Sequence, residues 1–408
     1  MADVVLPSRS RLSRVGALVL ALILLALSVQ TGLGFTLARS APALAYRIDP
    51  GNPEVAAAKA NFLVMTSTSA AAVKQVEQVA REAVAGGPLA PLAVRNLGFA
   101  IQAAGRKSEA VELVDIAGKI SRRDFLAHAW LLEERKREGR MADAVFQADL
   151  LMRQRTSNYA QVMPIMVGLL ANRDSVVPLA RALDGDPVWR SSFLDAMGWD
   201  ARNLENKLAL LGAIRQLGSP ATNREIAPLF RRAWDKADPR MLRGHWDRLV
   251  TLPTGARSGL LIDGGFEYPD VPPPFTWTLY PNQEVYAEIA RRPDSGHALF
   301  ASFEGTRDVE FAGQQLLLAP GRYQLTGAVM GQDRVTPGQF RWSLRCGRDG
   351  ATVQSIPLNP TLDRWTRFAV TLTVPDSCRE QQLWLVAGPS DPAALASVLV
   401  DSLALRKL

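Results

Sequence analysis

Hydrophobic spacing changes character three times along this chain. From Gly16 to Val29 nearly every residue is apolar, and the run continues less densely to Ala38 without a charge. A helix over 16–38 is long enough to cross a hydrocarbon core of about 30 Å. From Val55 to Leu252 apolar residues recur at i, i+3, i+4 and i+7, the signature of amphipathic helices. The pattern predicts helices at Val55–Met65, Val73–Val84, Val162–Leu170, Val176–Leu183, Trp189–Met197, Leu204–Leu217 and Glu225–Trp234. After Thr251-Leu252-Pro253-Thr254-Gly255 the period drops to two. Arg341–Arg345, Phe368–Val374 and Gln382–Val386 then read as short strands between Gly and Pro clusters, as in a β-sandwich or jelly roll.

Punctuation agrees with this division. Asp49-Pro50-Gly51-Asn52-Pro53 breaks the chain after the apolar run. Ser121-x-x-Asp124 and Thr222-x-x-Glu225 have the form of capping boxes, and Pro228 falls inside the helix that the second one opens. The expected organisation is an N-terminal segment 1–15, a span 16–38, a linker 39–54, a helical region 55–252 and a β domain 256–408. The fold class is thus α+β and multidomain.

One pattern occurs twice, 34 residues apart: Leu92, Ala93, Leu97, Gly105, Arg106, Ala110 and Val111 recur as Leu126, Ala127, Leu131, Gly139, Arg140, Ala144 and Val145. Leu97-Gly98, the turn at Gly105, and Ala110 with Ala117 make the first copy resemble a tetratricopeptide repeat, whose length is 34. The second copy keeps Leu131, Gly139 and Ala144 but carries Leu132 where the family has a small residue. Two ordinary helical hairpins of equal length are the plainer reading. The resemblance implies an α-solenoid of TPR-like helix pairs over 55–252 with a groove that binds a protein partner. Trp130, Trp189, Trp199, Trp234 and Trp246 are expected in its core.

In the β region, Leu261-Ile262-Asp263-Gly264-Gly265-Phe266-Glu267, Trp277, Gly296-His297-Ala298-Leu299, Pro320-Gly321-x-Tyr323, Trp365-Thr366-Arg367-Phe368, Val374-Pro375 and Val400-Asp401 follow one another. In that order they resemble the jelly-roll carbohydrate-binding modules attached to xylanases and glucanases. The resemblance implies an opening strand at Leu261–Glu267 and a closing strand at Val400–Leu405. It also implies a structural Ca²⁺ with Glu267 and Asp401 as ligands, against an ordinary strand-end hydrogen bond as the alternative. Stacking on sugar rings needs exposed aromatic faces. The candidates are Trp277, Tyr280, Tyr286 and Trp342, although Trp277 and Trp365 occupy positions that the modules usually bury.

Arg9, Arg11 and Arg14 precede the apolar run, which by the positive-inside rule predicts a cytoplasmic N-terminus. The expectation is a single-pass protein of a bacterial inner membrane with its bulk in the periplasm. A signal peptide cleaved after Ala43-Leu44-Ala45 is the competing reading, although that site lies far beyond the dense apolar stretch. Export would make a Cys346–Cys378 disulfide the economical fate of the chain's 2 cysteines, with two buried thiols as the alternative.

Net charge is +7, but no run of five basic residues occurs, so nothing indicates nucleic-acid binding. The 3 histidines, His128, His245 and His297, belong to no metal or triad motif, and HExxH, GxSxG and P-loop sequences are absent. Glu267, Asp270, Glu284 and Glu288 are close enough in sequence for a carboxylate pair, yet their spacing demands no chemistry. The expected function is a membrane-anchored, non-catalytic scaffold. Its helices bind protein, its β domain contacts polysaccharide, and by resemblance it serves assembly or export of surface polysaccharide. A scaffold without sugar affinity and a glycan hydrolase are the alternatives.

Overall fold

The computed structural model describes residues 9–66, 69–292, 296–333, 335–347, 350–390 and 395–408. It divides into two compact units, Met1–Val162 and Met163–Leu408. Of the expected cytoplasmic segment, residues 1–8 lie outside the described residues.

The first unit is helical. Helix α1 (Arg9–Leu37) contains the apolar stretch Gly16–Leu37, which is long and apolar enough to cross a membrane and almost wholly exposed within the protein. The same properties suit a signal sequence. The expected linker is itself partly helical. Helix α2 (Pro42–Ile48) packs on the end of α1, where Gln30 Nε2 donates to the Ile48 carbonyl at 2.8 Å. Ala38, Ala45 and Val55 form a small core between α1, α2 and α3 (Pro53–Thr66).

Helices α4 (Ala70–Gly86), α5 (Pro91–Ala103), α6 (Lys107–Ile120), α7 (Phe125–Arg137) and α8 (Met141–Gln154) follow. Antiparallel neighbours pack as α3 on α4, α5 on α6 and α7 on α8. Gly105 turns the chain from α5 into α6 and Gly139 from α7 into α8, with φ of +84° and +73°. Gly98 lets α5 lie close against α6, for a Cβ there would stand 2.7 Å from Val114 Cγ2. The cap before α7 differs from the expected box. Asp124 itself accepts the Ala127 N–H at 3.1 Å, because it stands directly before the first helical residue. Asp124 also holds the buried Arg95 guanidinium at 2.7 Å, and Arg95 reaches back to Asn61. That network ties α3, α5 and the start of α7 together.

The second unit opens with helices α10 (Val176–Asp184), α11 (Arg190–Gly198), α12 (Leu204–Gln216), α13 (Asn223–Trp234) and α14 (Pro239–Leu249), while α9 (Tyr159–Gly168) straddles the division between units. Here α10 packs on α12 and α11 on α13, while α14 meets both α12 and α13. The Thr222–Glu225 capping box forms with both reciprocal bonds, and α13 runs through Pro228. Trp189, Trp234 and Trp246 are buried as expected, and Trp130 is half-buried. Trp199 departs from the expectation. At 65% exposed it lies at the end of α11, its Nε1 donating to Asp195. Among the described residues, three bonded pairs are 34 residues apart: Arg95–Asn61, Ser191–Glu225 and Arg215–Leu249.

Near the expected boundary at Pro253 the helices touch the loop that leads into the sheets, while the buried core of the sandwich is built from Leu261 onward. Trp246 Nε1 donates to the Pro272 carbonyl at 3.0 Å, and Phe275 lies edge-on to both Trp234 and Trp246 at 5.7 Å. Helices α13 and α14 thus share apolar contacts with the loop that leads into the sheets.

Beyond the small β1–β2 hairpin (Arg257–Ser258, Leu261–Ile262), two five-stranded antiparallel sheets form a sandwich. One has the order β10-β7-β12-β5-β4, from Thr366–Val374, Gly321–Gly331, Ala396–Lys407, His297–Phe303 and Val285–Arg291. The other has the order β3-β6-β11-β8-β9, from Thr278–Leu279, Val309–Leu316, Gln381–Ala387, Phe340–Cys346 and Thr352–Pro357. Period-two alternation sends Phe311, Leu325, Phe340, Leu344, Leu383, Leu385 and Val400 inward. The expected opening strand shrinks to Leu261–Ile262, since Asp263 and Phe266 adopt left-handed backbone and turn the chain. Cys346 and Cys378 form the disulfide, with Cα atoms 5.4 Å apart.

Candidate functional site

The four aromatic candidates do not converge. Trp342 is 0% exposed and Trp277 only 8%; their rings meet 6.0 Å apart inside the sandwich. Neither offers a face to a sugar, and the expectation for both is corrected by their place in the core. For Trp342 the cause is register: it shares the inward row with Leu385 and Ile356. Tyr286 is 53% exposed, on the edge strand β4 of the first sheet, its hydroxyl on Glu288 at 2.7 Å. Tyr280 is 48% exposed, just after β3 of the second sheet.

Tyr280 has a partner that the sequence reading missed. Its ring centroid lies 5.3 Å from that of Trp384 on β11. Trp384 pairs laterally with Gly313 on one side and Ser343 on the other, so Thr278, Gly313, Trp384, Ser343 and Ser355 form one row across all five strands. Because Leu383 and Leu385 point inward, this row points outward. Gly313 is what lets the ring lie down, for a Cβ there would meet Trp384 Cε3 at 2.7 Å. Gln382 Oε1 accepts the indole N–H at 3.0 Å and fixes the ring's orientation. The missed signal was the alternation Gln382, Trp384, Val386 against Leu383, Leu385: it puts the indole on the face turned away from the sandwich core, where it is part-buried between buried Gln382 and Val386.

Beside the aromatic pair lies a polar groove of about 490 Å³ on the same sheet. Arg345 holds Glu310 through bonds of 2.7 and 2.9 Å, Arg341 pairs with Asp308, and Ser343 meets Thr352 at 3.3 Å. Burial pushes the Tyr280 hydroxyl above its ordinary pKa, with Arg231 pulling it down and Asp235 pushing it up. Flat rings beside paired donors and acceptors can stack on a sugar ring and bond its hydroxyls. The paired charges largely cancel, which suits a neutral ligand.

Glu267 and Asp401 come close to each other around Gly265. Their oxygens, however, are already engaged. Asp401 bonds the Arg292 guanidinium and the Ser402 N–H, and Glu267 takes the His297 backbone and Nδ1 at 2.8 Å each. Arg292 Cζ in turn stands 4.9 Å over the Trp365 ring. A Ca²⁺ here would meet a resident cation, so this donor set does not fit the metal as arranged. No group of three potential ligands is gathered for a metal among the described residues. The hydrogen bond from His297 holds the Glu267 carboxyl below its usual range, whereas burial raises Asp401 and the neighbouring Asp263.

The other acids considered for a hydrolytic pair are likewise partnered: Glu284 with Arg307, Glu288 with Tyr286, and Asp270 with Arg224. His128 is buried between Gln147 and the Ser121 carbonyl.

No family model and no curated protein matches the chain. Among solved structures it is similar to the enzymatically active domain of a bacteriophage CBA120 tailspike protein, at 13% identity and a TM-score of 0.29 over 37% of this chain. The match spans 22% of that domain. It is also similar to the CBM22-1 xylan-binding domain from Paenibacillus barcinonensis, at 15% identity, 33% and 86% coverage of the two chains and a TM-score of 0.25. A third is a CBM61 in complex with β-1,4-galactotriose, at 15% identity, 37% and 99% coverage and a TM-score of 0.25. The carbohydrate-binding modules match the C-terminal sheet region.

Proposed function

We propose that this protein is a non-catalytic, membrane-anchored envelope scaffold whose β-sandwich binds a polysaccharide on the outer face of the second sheet. The carrying observation is the Tyr280–Trp384 pair, two rings 5.3 Å apart beside the Arg345–Glu310 and Arg341–Asp308 pairs. Aromatic faces supply contact area at low conformational cost, and the fixed polar pairs supply direction. Binding of the full-length protein to a panel of neutral and acidic polysaccharides tests it, with Trp384→Ala as the discriminating variant.

In this reading α1 spans a bacterial inner membrane with its N-terminus in the cytoplasm, supported by Arg9, Arg11 and Arg14 before the apolar stretch. The bulk of the chain then lies in the periplasm, in keeping with the Cys346–Cys378 bridge. The helix pairs are TPR-like and offer a protein partner a groove. Side-chain bonds between residues 34 apart favour that reading, because stacked repeats place equivalent positions side by side. Holding glycan on one face and protein on helices suits assembly or export of surface polysaccharide.

A further inference from the structure

The end of α1 does not stand clear of the protein. Gln30 is bonded to the Ile48 carbonyl, Gly34 lies against Asp49, and Ala38 is packed with Ala45 and Val55. The opposite side of the same turns stays open, with Phe35 60% exposed. Phe35 and Ala38 form one wall of an apolar groove of about 670 Å³, and Leu89 and Leu92, from the segment between α4 and α5, line it too. Leu89 is 77% exposed, the highest value among the described large apolar side chains of this unit. Arg39 and Glu54 are the charged residues that line the groove.

Depth follows from helix geometry. A span that enters the hydrocarbon at Gly16 needs roughly 20 residues to cross it, which puts the far boundary near Phe35. Whatever stands beside Phe35 stands at the membrane surface. Helix α1 packs directly on α2 and α3, so the segment after the span is folded against it rather than a free linker.

We infer that this groove is filled by lipid of the leaflet into which α1 emerges: Leu89 and Leu92 dip into the acyl layer beside Phe35, and Arg39 meets the phosphates. Arginine suits that level, its stem apolar and its guanidinium wet. The membrane then holds the first unit by two elements, the span and the 87–92 segment, and fixes how its helix pairs face the envelope. The inference rests on α1 being a span.

The test uses full-length protein in phosphatidylcholine–phosphatidylglycerol nanodiscs containing doxyl-labelled lipid. An environment-sensitive fluorophore is placed at Leu24→Cys or at Leu89→Cys, the native cysteines being bridged. The expected result is strong quenching at position 24 by deep doxyl groups and at position 89 by shallow ones. Quenching at 24 with full emission at 89 overturns the lipid-filled groove and leaves the span standing. Emission at 24 untouched by any doxyl group refutes the span and the inference with it. Leu89→Arg, which leaves the span intact, is expected to restore emission from a label at Leu92→Cys; unchanged quenching there counts against the groove.

Discussion

Arg292 and Asp401 are bonded to each other across the first sheet, so the closing strand's carboxylate already has a cation of its own. Trp365 backs the guanidinium at 4.9 Å and keeps it in place. Arg292→Met, which keeps the stem and removes the charge, is expected to cost roughly 2–3 kcal/mol, the scale of a charged hydrogen bond lost from a largely buried acceptor. Calcium is expected to leave wild-type melting unchanged and to raise the melting temperature of the variant, whose freed Asp401 carboxylate can take it. Thermal melts with CaCl₂ and with chelator check both; a calcium-dependent wild type would show that Arg292 yields its place.

The disulfide carries a separable share of stability. Cys346 and Cys378 close a loop across a sequence separation of 32. The chain-entropy model puts its contribution at about 3–4 kcal/mol. The double Cys→Ser variant should lose that amount in urea denaturation, and reductant should lower the wild-type midpoint but not the variant's.

Lys207 is buried and donates to the carbonyls of Met197 and Asp200 and to the Asp200 carboxylate at 3.0 Å. Hydrogen bonds from Arg202 and then Lys207 hold Asp200 well below the usual carboxylate range. A depressed acid stabilises the fold above its unfolded pKa of about 3.9 and loses that contribution as pH falls through its folded value. Lys207→Met should therefore melt below wild type at pH 7, with the difference narrowing below about pH 4. A difference that stays constant would assign the loss to packing and carbonyl contacts instead.

At Thr222 the capping box is complete, with Thr222 Oγ1 accepting from Glu225 N and Glu225 returning the bond to Thr222 N at 2.8 Å. Thr222→Ala should cost about 1 kcal/mol by denaturation, while Ser121→Ala should cost little, because Asp124 caps the neighbouring helix.

The sequence carried the elements better than their faces. Periodicity placed α3, α4 and the three strands Arg341–Arg345, Phe368–Val374 and Gln382–Val386 to within a few residues, because apolar spacing of 3.6 or 2 reflects which side is buried. It could not say which side of a strand faces the opposite sheet once both sides carry large residues. Trp342 and Trp384 both lie in short alternating strands, and lateral pairing with the buried rows settles that one points into the core and the other to the outer, part-buried face. Asp124 shows the same limit at a helix start, where two capping residues compete within one turn. Arg292 was invisible for another reason: it meets Asp401 109 residues later in the chain, a distance no local pattern spans.

Isothermal titration of full-length protein against the polysaccharide panel tests the central claim most directly. The account predicts that a polysaccharide binds, that Trp384→Ala weakens it about tenfold or more, some 1.4 kcal/mol, and that Tyr286→Ala on the other sheet leaves it unchanged. A panel that yields no binding, or binding indifferent to Trp384 and lost with Tyr286, would contradict it.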